Sequence, residues 1–262
     1  MPSCIEALLN QTHPALQIII VDSLSNETDY LKVYENEKSM QVIYCQANVG
    51  FCKGNNIGVS KVQKEADYVL FLNPDAFLTP SFLEEAIRFL ELPENGDVGA
   101  LTGLMLGFDI AKNKTSGKVD SSGVFRNWYG KWHDRHQGDS LNAHSYTKIE
   151  NVPAICGALF LCRRSALEMV QLGKNMVFDP TFYMYKEDID LSVRLRKAGW
   201  RLVFNPQLIA HHCRGWQNDR KKMPRKFRLM AARNEVRLHK KMRSPYLAYS
   251  LAKYLAVKVL DL

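Results

Sequence analysis

The chain has 262 residues, 46% hydrophobic and 24% charged, with 15 Gly and 10 Pro. These values exclude a disordered, collagenous or coiled-coil protein and leave room for one large core. The formal charge of +8 is uneven: twelve Lys or Arg lie between Arg214 and Arg243 against Asp219 and Glu235, so the remainder is slightly acidic and the basic stretch points to an anionic partner, whether diphosphate, lipid headgroup or nucleic acid.

Ser3 to Asn10 reads as a helix. Gln17 to Val21 (QIIIV) is a continuous β-branched run, as expected of a strand covered on both faces, and Val42 to Cys45 and Tyr68 to Leu72 (YVLFL) repeat it. Helices are expected over Gly54 to Val62 and Ser81 to Leu90, and a fourth strand over Val98 to Leu101. This alternation predicts βα units around a parallel sheet. From Gly103 to Asn151 the pattern dissolves into Gly, Ser, Lys, Asn and aromatics, as in a long functional loop or a small subdomain. Ala154 to Cys162 (AICGALFLC) reads as a buried strand and Ser165 to Leu172 as a helix.

Glu187 to Ala198 alternates like a strand, but acids at its start, Arg196 and Lys197 near its end and Gly199 beyond it favour a helix. Arg201 to Phe204 and Leu208 to Ala210 read as short strands, and a basic helix follows Pro224. The stretch from Pro245 to Leu262 is too short, and too interrupted by Lys253, Lys258 and Asp261, to span a bilayer. It reads either as a helix packed on the domain or as one lying on an anionic membrane surface.

The six cysteines, Cys4, Cys45, Cys52, Cys156, Cys162 and Cys213, form no CxxC pair and read as reduced thiols. The first residues carry no basic segment followed by an apolar one, so a cytoplasmic location is expected, and the N-x-T sequons at Asn10, Asn26 and Asn113 read as chance matches.

Three polar groups directly follow apolar strands: Asp22, then Asn48 with Gly50, then Asn73, Pro74 and Asp75. In an open α/β sheet such groups converge on one crevice. Asp75 suits a hard cation that also takes phosphate oxygens, or else caps the next helix. The segment NVGFCKGNNIG, which includes Asn55, is only loosely like a phosphate-cradling loop. Glu187, Asp188 and Asp190 stand at a helix start, where ionised carboxylates are stabilised. His133, Asp134, His136 and Asp139 have metal-ligand chemistry but read as a solvated loop, and Trp128, Trp132 and Trp216 read as sugar-stacking or core residues.

In their order, IIIVDSLSNE, NVGFCKGNNIG, LFLNPDAFL, CGALFLCRR, FDPTFYMYKEDIDLSVRLRKAGW and FNPQLIAHHCRG resemble the family 2 glycosyltransferases of GT-A fold, and most of all the rhamnosyltransferase-like branch that builds bacterial surface polysaccharides. The resemblance implies an α/β fold with a mixed, mainly parallel sheet flanked by helices. It implies a domain over 1–213, with a nucleotide-binding half at 1–102, a variable region at 103–151 and an acceptor and catalytic half at 152–213, followed by a basic helical extension at 214–262. It further implies a metal-dependent, inverting hexosyl transfer from a dTDP- or UDP-sugar to a glycan or lipid-linked acceptor at the inner face of a membrane.

Residue by residue, the resemblance makes Asp22 the reader of the base, with Asn48, Gly50, Asn55 and Asn73 around the nucleotide. Asp75 would hold Mn2+ or Mg2+ together with His212, His211 being the alternative register. Cys156, Gly157 and Ala158 would lie by the donor sugar and acceptor, with Asp188 as general base and Glu187 supporting it. Two departures are visible. The family ordinarily opens with a strand ahead of the helix at Ser3 to Asn10, so a central strand is expected to be absent; and VDSLSNE replaces VDNxSxD, with Ser23 and Glu27 for Asn and Asp. Two rival readings follow: a non-catalytic, N-terminally truncated relative, and a basic nucleic-acid-binding protein, against which stands the lack of any RNA- or DNA-reading motif.

Overall fold

The computed structural model describes residues 1–213 and 223–260, so Arg214, Trp216, Asp219, Arg220, Lys221, Lys222 and Asp261 lie outside the described residues. The chain runs through α1 (Pro2–Leu9), β1 (Ile18–Asp22), β2 (Met40–Tyr44), α2 (Gly50–Val59), β3 (Tyr68–Leu72), β4 (Ala76–Leu78), α3 (Phe82–Leu90) and β5 (Val98–Asp109). It continues with β6 (Lys114–Ser121), β7 (Val124–Arg126), β8 (Trp132–Asp134), β9 (Glu150–Asn151), β10 (Leu159–Arg163), α4 (Arg164–Val170), α5 (Glu187–Lys197), β11 (Arg201–His212), α6 (Arg225–Lys241) and α7 (Leu247–Leu260).

Seven strands form one sheet in the order β3-β10-β5-β11-β4, with β6 added to β5 and β9 to β11. The sheet is mixed, as expected, yet fewer neighbours pair in parallel than the βα pattern predicted: β5 and β11 are parallel, whereas β10 runs against both β3 and β5, and β4 against β11. The reason lies before β10. Residues 155–158 form a buried turn instead of the first half of a strand, so β10 enters the sheet without a crossover helix and returns against its neighbours. An unbroken apolar run cannot distinguish a buried turn from a buried strand.

β1 and β2 form a separate parallel pair. Among the described residues β1 pairs only with β2, and β3 pairs only with β10, so the sheet is divided where the central strand was expected to be absent. Helix α1 ties the two parts together. Ile5 packs with Ile18, Ile20, Leu31 and Met40, while the Cys4 thiol lies 3.6 Å from the Asn73 carbonyl at the end of β3.

Other differences have simple causes. β11 is one strand of twelve residues, not two short ones; it passes Pro206 with a shift of register between Asn205 and Ile209. Gly103 on β5 makes room for that irregularity, since a Cβ there would overlap the Leu208 carbonyl. The 103–151 region carries the outer part of β5 with β6, β7, β8 and β9; β6 and β9 join the main sheet, and β7 and β8 pair separately. It joins the main core through Val119, Val124 and Trp132, alongside the fully buried Phe160, Phe178 and Phe204. α2 begins four residues earlier than its apolar spacing indicated.

Among the described residues the six cysteines form no disulfide; Cys45 and Cys213 are partly exposed and the others buried. No helix among the described residues is long and apolar enough to cross a membrane. The basic helix α6 is more than a solvated face: Ala232, Asn234, Glu235, Leu238 and His239 are buried, and Lys253 of α7 pairs with Glu235 beneath the helix pair.

Candidate functional site

Asp22 closes β1 and is buried, with its carboxylate accepting the Ser25 N–H at 3.2 and 3.3 Å. Ser23 follows, and its hydroxyl accepts the Val49 N–H at 2.8 Å while lying 3.4 Å from Asn48 Oδ1. Asn48 Oδ1 also accepts from Gly50 N–H at 3.2 Å and from the Tyr183 hydroxyl at 2.6 Å. Gly50 has φ +75, and a Cβ there would overlap the Tyr183 ring, so this position requires glycine for both reasons. Asp22, Asn48 and Gly50 therefore meet at the ends of β1 and β2. Asn55 does not join them by any described hydrogen bond: its amide donates to the Phe51 carbonyl within α2. Its neighbour Asn56 reaches across instead, to the backbone of Val177 and Phe178.

The NPD turn leaves β3 beside two other segments. Asn73 N–H donates to the Ala158 carbonyl at 3.1 Å, and Cys213 N–H donates to the Asp75 carbonyl at 2.8 Å. His212, at the end of β11, turns its Nε2 to Asp75 Oδ1 at 3.2 Å and its Nδ1 to Asp120 Oδ2 at 2.7 Å. Asp120 stands on β6 and is fully buried, whereas the Asp75 side chain is 46% exposed. Burial alone would lower the histidine's pKa, but the hydrogen bonds and charges of Asp120 and Asp75 outweigh it and push the imidazole up to about 9. His211 faces elsewhere, stacked on Phe77 and edge-on to Phe108.

Among the described residues no group of three or more His, Cys, Asp or Glu could hold a metal by itself. The Asp75 carboxylate and His212 Nε2 nevertheless form an oxygen and nitrogen pair at the edge of solvent. Such a pair fits Mn2+ or Mg2+ when diphosphate oxygens complete the coordination.

Asp188 lies on the other side of the Cys156–Gly157–Ala158 turn. Its Oδ2 accepts the Gly157 N–H at 3.0 Å and its Oδ1 the Ile189 N–H at 2.8 Å. A Cβ on Gly157 would press on Asp188 at 3.3 Å. Desolvation raises the Asp188 pKa against the opposing Lys186 charge and these two N–H donors, and the charge of Asp134 on β8 adds to the rise. Glu187 is buried, its Oε2 has no hydrogen-bond partner among the described residues, and burial followed by the Asp188 charge raises its pKa. The two carboxyls therefore titrate as a pair, both pushed up by burial.

The loop before them is held in an unusual shape. Tyr183, Tyr185 and Lys186 all have positive φ, at 63, 73 and 75°. Asn234, buried on α6, aims its amide at the carbonyls of Phe182, Met184 and Tyr185, at 2.7, 2.8 and 3.1 Å. Lys241 of the same helix pairs with Asp179 and Asp190. Three strained residues in sequence persist only where the surroundings over-determine them, and α6 does so here.

Sequence reasoning missed Asp120, Tyr183 and Asn234. Asp120 was hidden in the irregular region, though the alternation in KVDS could have marked an inward carboxylate; a polar Asn in a basic helix carries no local signal. Of the discounted loop, His136 stacks on His144, and His144 pairs with Asp139 at 2.8 Å. Trp132 is buried and Trp128 is 85% exposed.

Residues 1–170 match the family described as Glycosyl transferase family 2. The rhamnosyltransferase WbbL of Escherichia coli K12 is 30% identical over 168 residues, covering 62% of this chain and 60% of the relative. The N-acetylglucosaminyl-diphospho-decaprenol L-rhamnosyltransferase of Mycobacterium tuberculosis is 24% identical over 217 residues, 77% of this chain and 68% of the relative. The chain thus spans about 60 to 68% of the length of these relatives. Among solved structures, GalNAc-T7 with UDP, GalNAc and Mn2+ superposes with a TM-score of 0.66 at 16% identity, over 90% of this chain and 44% of that one. The mannosyltransferase PcManGT of Pyrobaculum calidifontis, with GDP-Man and Mn2+, gives 0.55 at 15% identity over 97% and 70%. The chain belongs to glycosyl transferase family 2, and its fold is that of the GT-A glycosyltransferases.

Proposed function

We propose that this member of glycosyl transferase family 2 moves a sugar of the rhamnose class from a dTDP- or UDP-linked donor to a glycan or lipid-linked acceptor, with inversion, in the building of a cell-surface polysaccharide. One observation carries the reading. The Asp188 carboxylate, held by two backbone N–H groups, stands across a single turn from the strand end that bears Asp75, so a base and a cation-binding carboxylate flank one opening. The names of the two bacterial relatives support the rhamnose class, and that of the mycobacterial one supports a lipid-linked acceptor.

In this reading the acceptor hydroxyl gives its proton to Asp188 as its oxygen attacks the anomeric carbon. The bond from that carbon to the diphosphate oxygen breaks on the opposite face, and its electron pair leaves with the nucleotide diphosphate. A base so positioned contributes about 10²- to 10⁴-fold. Glu187, whose pKa burial raises, places no second charge beside Asp188 when it is protonated. Asp22, Asn48 and Gly50 receive the nucleoside end. Asp75 and His212 would hold a divalent cation, which supplies neutralising charge for the departing diphosphate. Asp120 fixes the ring of His212 and its tautomer, as carboxylates behind ligating histidines do.

The division between β1 and β3 favours a second reading, a relative that binds no donor. A thermal-shift titration with dTDP, UDP and GDP, each with and without Mn2+, separates the two. A nucleotide at 100 times its dissociation constant stabilises by about 2.7 kcal/mol. Mn2+-dependent stabilisation by one nucleotide is the expected result; a cooperative melt that no nucleotide moves would overturn the transferase reading.

A further inference from the structure

The C-terminal helix pair presents an apolar face that nothing in the described chain covers. On α7 the side turned to α6 carries Ser250 and Val257, both buried, and Lys253, which pairs with Glu235. The opposite stripe, Ala248, Leu251, Leu255 and Val259, follows the helical repeat and is exposed throughout, with Val259 at 74%. A surface helix ordinarily turns this kind of stripe inward. On the flank of α7, Trp128 packs edge-on against Tyr129, which packs against Tyr249 of that helix, and it remains almost wholly exposed.

Charge frames the stripe. From Arg225 to Leu260 there are ten Lys or Arg against one Glu, and that Glu235 is neutralised internally by Lys253. At one end of α7 the Arg225 guanidinium donates to the Lys258 carbonyl, and Lys258 itself is exposed; at the other end Arg243 is exposed. An exposed apolar stripe bordered by cations at both ends and extended by an exposed Trp matches the chemistry of an anionic lipid surface. A second copy fits less well, because a two-fold contact sets the same patch against itself and brings the two sets of cations together.

We infer that the α7 face, with Trp128, docks on an anionic bilayer with α7 lying in the plane of the headgroups. α6 lies between that face and the catalytic loop, which Asn234 holds directly, so docking would set the acceptor side of the site one helix away from the lipid. The inference names the surface on which a lipid-linked acceptor would be met, but its test requires no donor, acceptor or metal.

The test is vesicle flotation of the full chain without nucleotide, comparing phosphatidylcholine vesicles with ones containing about a quarter phosphatidylglycerol. Flotation with the anionic vesicles alone is expected, reduced at least tenfold by Leu251→Asp with Leu255→Asp, and accompanied by a blue shift of Trp emission that Trp128→Phe removes. Both leucines are exposed, so the double variant should keep its melting temperature. Lys258→Ala with Arg243→Ala provides a milder variant expected to weaken binding and leave the melt unchanged. No flotation, or flotation that the leucine variants do not alter, would overturn the inference. So would a dimer in light scattering that Leu255→Asp dissociates, which would assign the face to a second copy. A chain that floats but binds no nucleotide refutes only the transferase reading; one that binds nucleotide but never floats refutes only this one.

Discussion

The two sides of the site are built differently. On the donor side, Asp22, Asn48 and Asp75 stand at or shortly after their strand ends and Asp75 stays half in solvent, although Asn48 and Asp75 also reach Tyr183 and His212 from distant parts of the chain. On the catalytic side, Asp188 is anchored by Gly157, thirty-one positions away, and the loop before it by Asn234, about fifty positions on. The donor side can thus adapt to a ligand that brings its own charge, whereas the catalytic side is over-determined before any ligand arrives.

The sharpest break of this contrast is Asp188→Asn. It should lower kcat about 10²- to 10⁴-fold while nucleotide affinity by calorimetry changes less than twofold; equal losses of both would make Asp188 a binding residue. On the donor side, Asp75→Ala should abolish the Mn2+-dependent part of nucleotide binding. Asp120→Asn should weaken it about 10- to 100-fold through the His212 ring, read as the ratio of affinities with and without Mn2+. An unchanged ratio would reduce Asp120 to a packing role.

Asn234→Ala leaves three carbonyls without their donor and should destabilise by about 1–3 kcal/mol. Its kcat should fall and its KM for the donor should rise, because the loop it holds leads into Asp188 and also carries Tyr183, the partner of Asn48. Glu187→Gln should act in the opposite direction on stability. A raised folded-state pKa means that Glu187's favourable contribution is complete below its unfolded value of about 4.5 and is lost as pH rises toward the folded value. The Gln variant should therefore melt higher than the parent at pH 7 to 8, and that gain should vanish below about pH 4.5. At the small end, Asn55→Ala should stay within about 0.5 kcal/mol of the parent and bind nucleotide alike.

Local pattern exposed the donor side well. QIIIVD and YVLFLNPD each show a strand and the polar group at its end in one glance, although the two strands lie in separate sheets. The helix at Glu187 was legible from its end charges. The region from Gly103 to Asn151 was opaque because its strands are short and interrupted by turns, and with it went Asp120, whose role depends on β6 lying beside β5. The continuity of β11 was hidden for a similar reason, since the register shift between Asn205 and Ile209 is defined against the neighbouring strand.

The sequence by itself determined the alternation of elements, the chemistry placed at the strand ends, the family and the basic character of the tail. These are local properties, encoded in runs of five to ten residues and in the order of motifs. The tertiary structure alone decided what surrounds each carboxylate. Burial and neighbours set Glu187 apart from Asp188, Asp120 behind His212, and Asn234 beneath a strained loop, because desolvation and hydrogen bonding depend on what folds against a group and not on what precedes it in the chain.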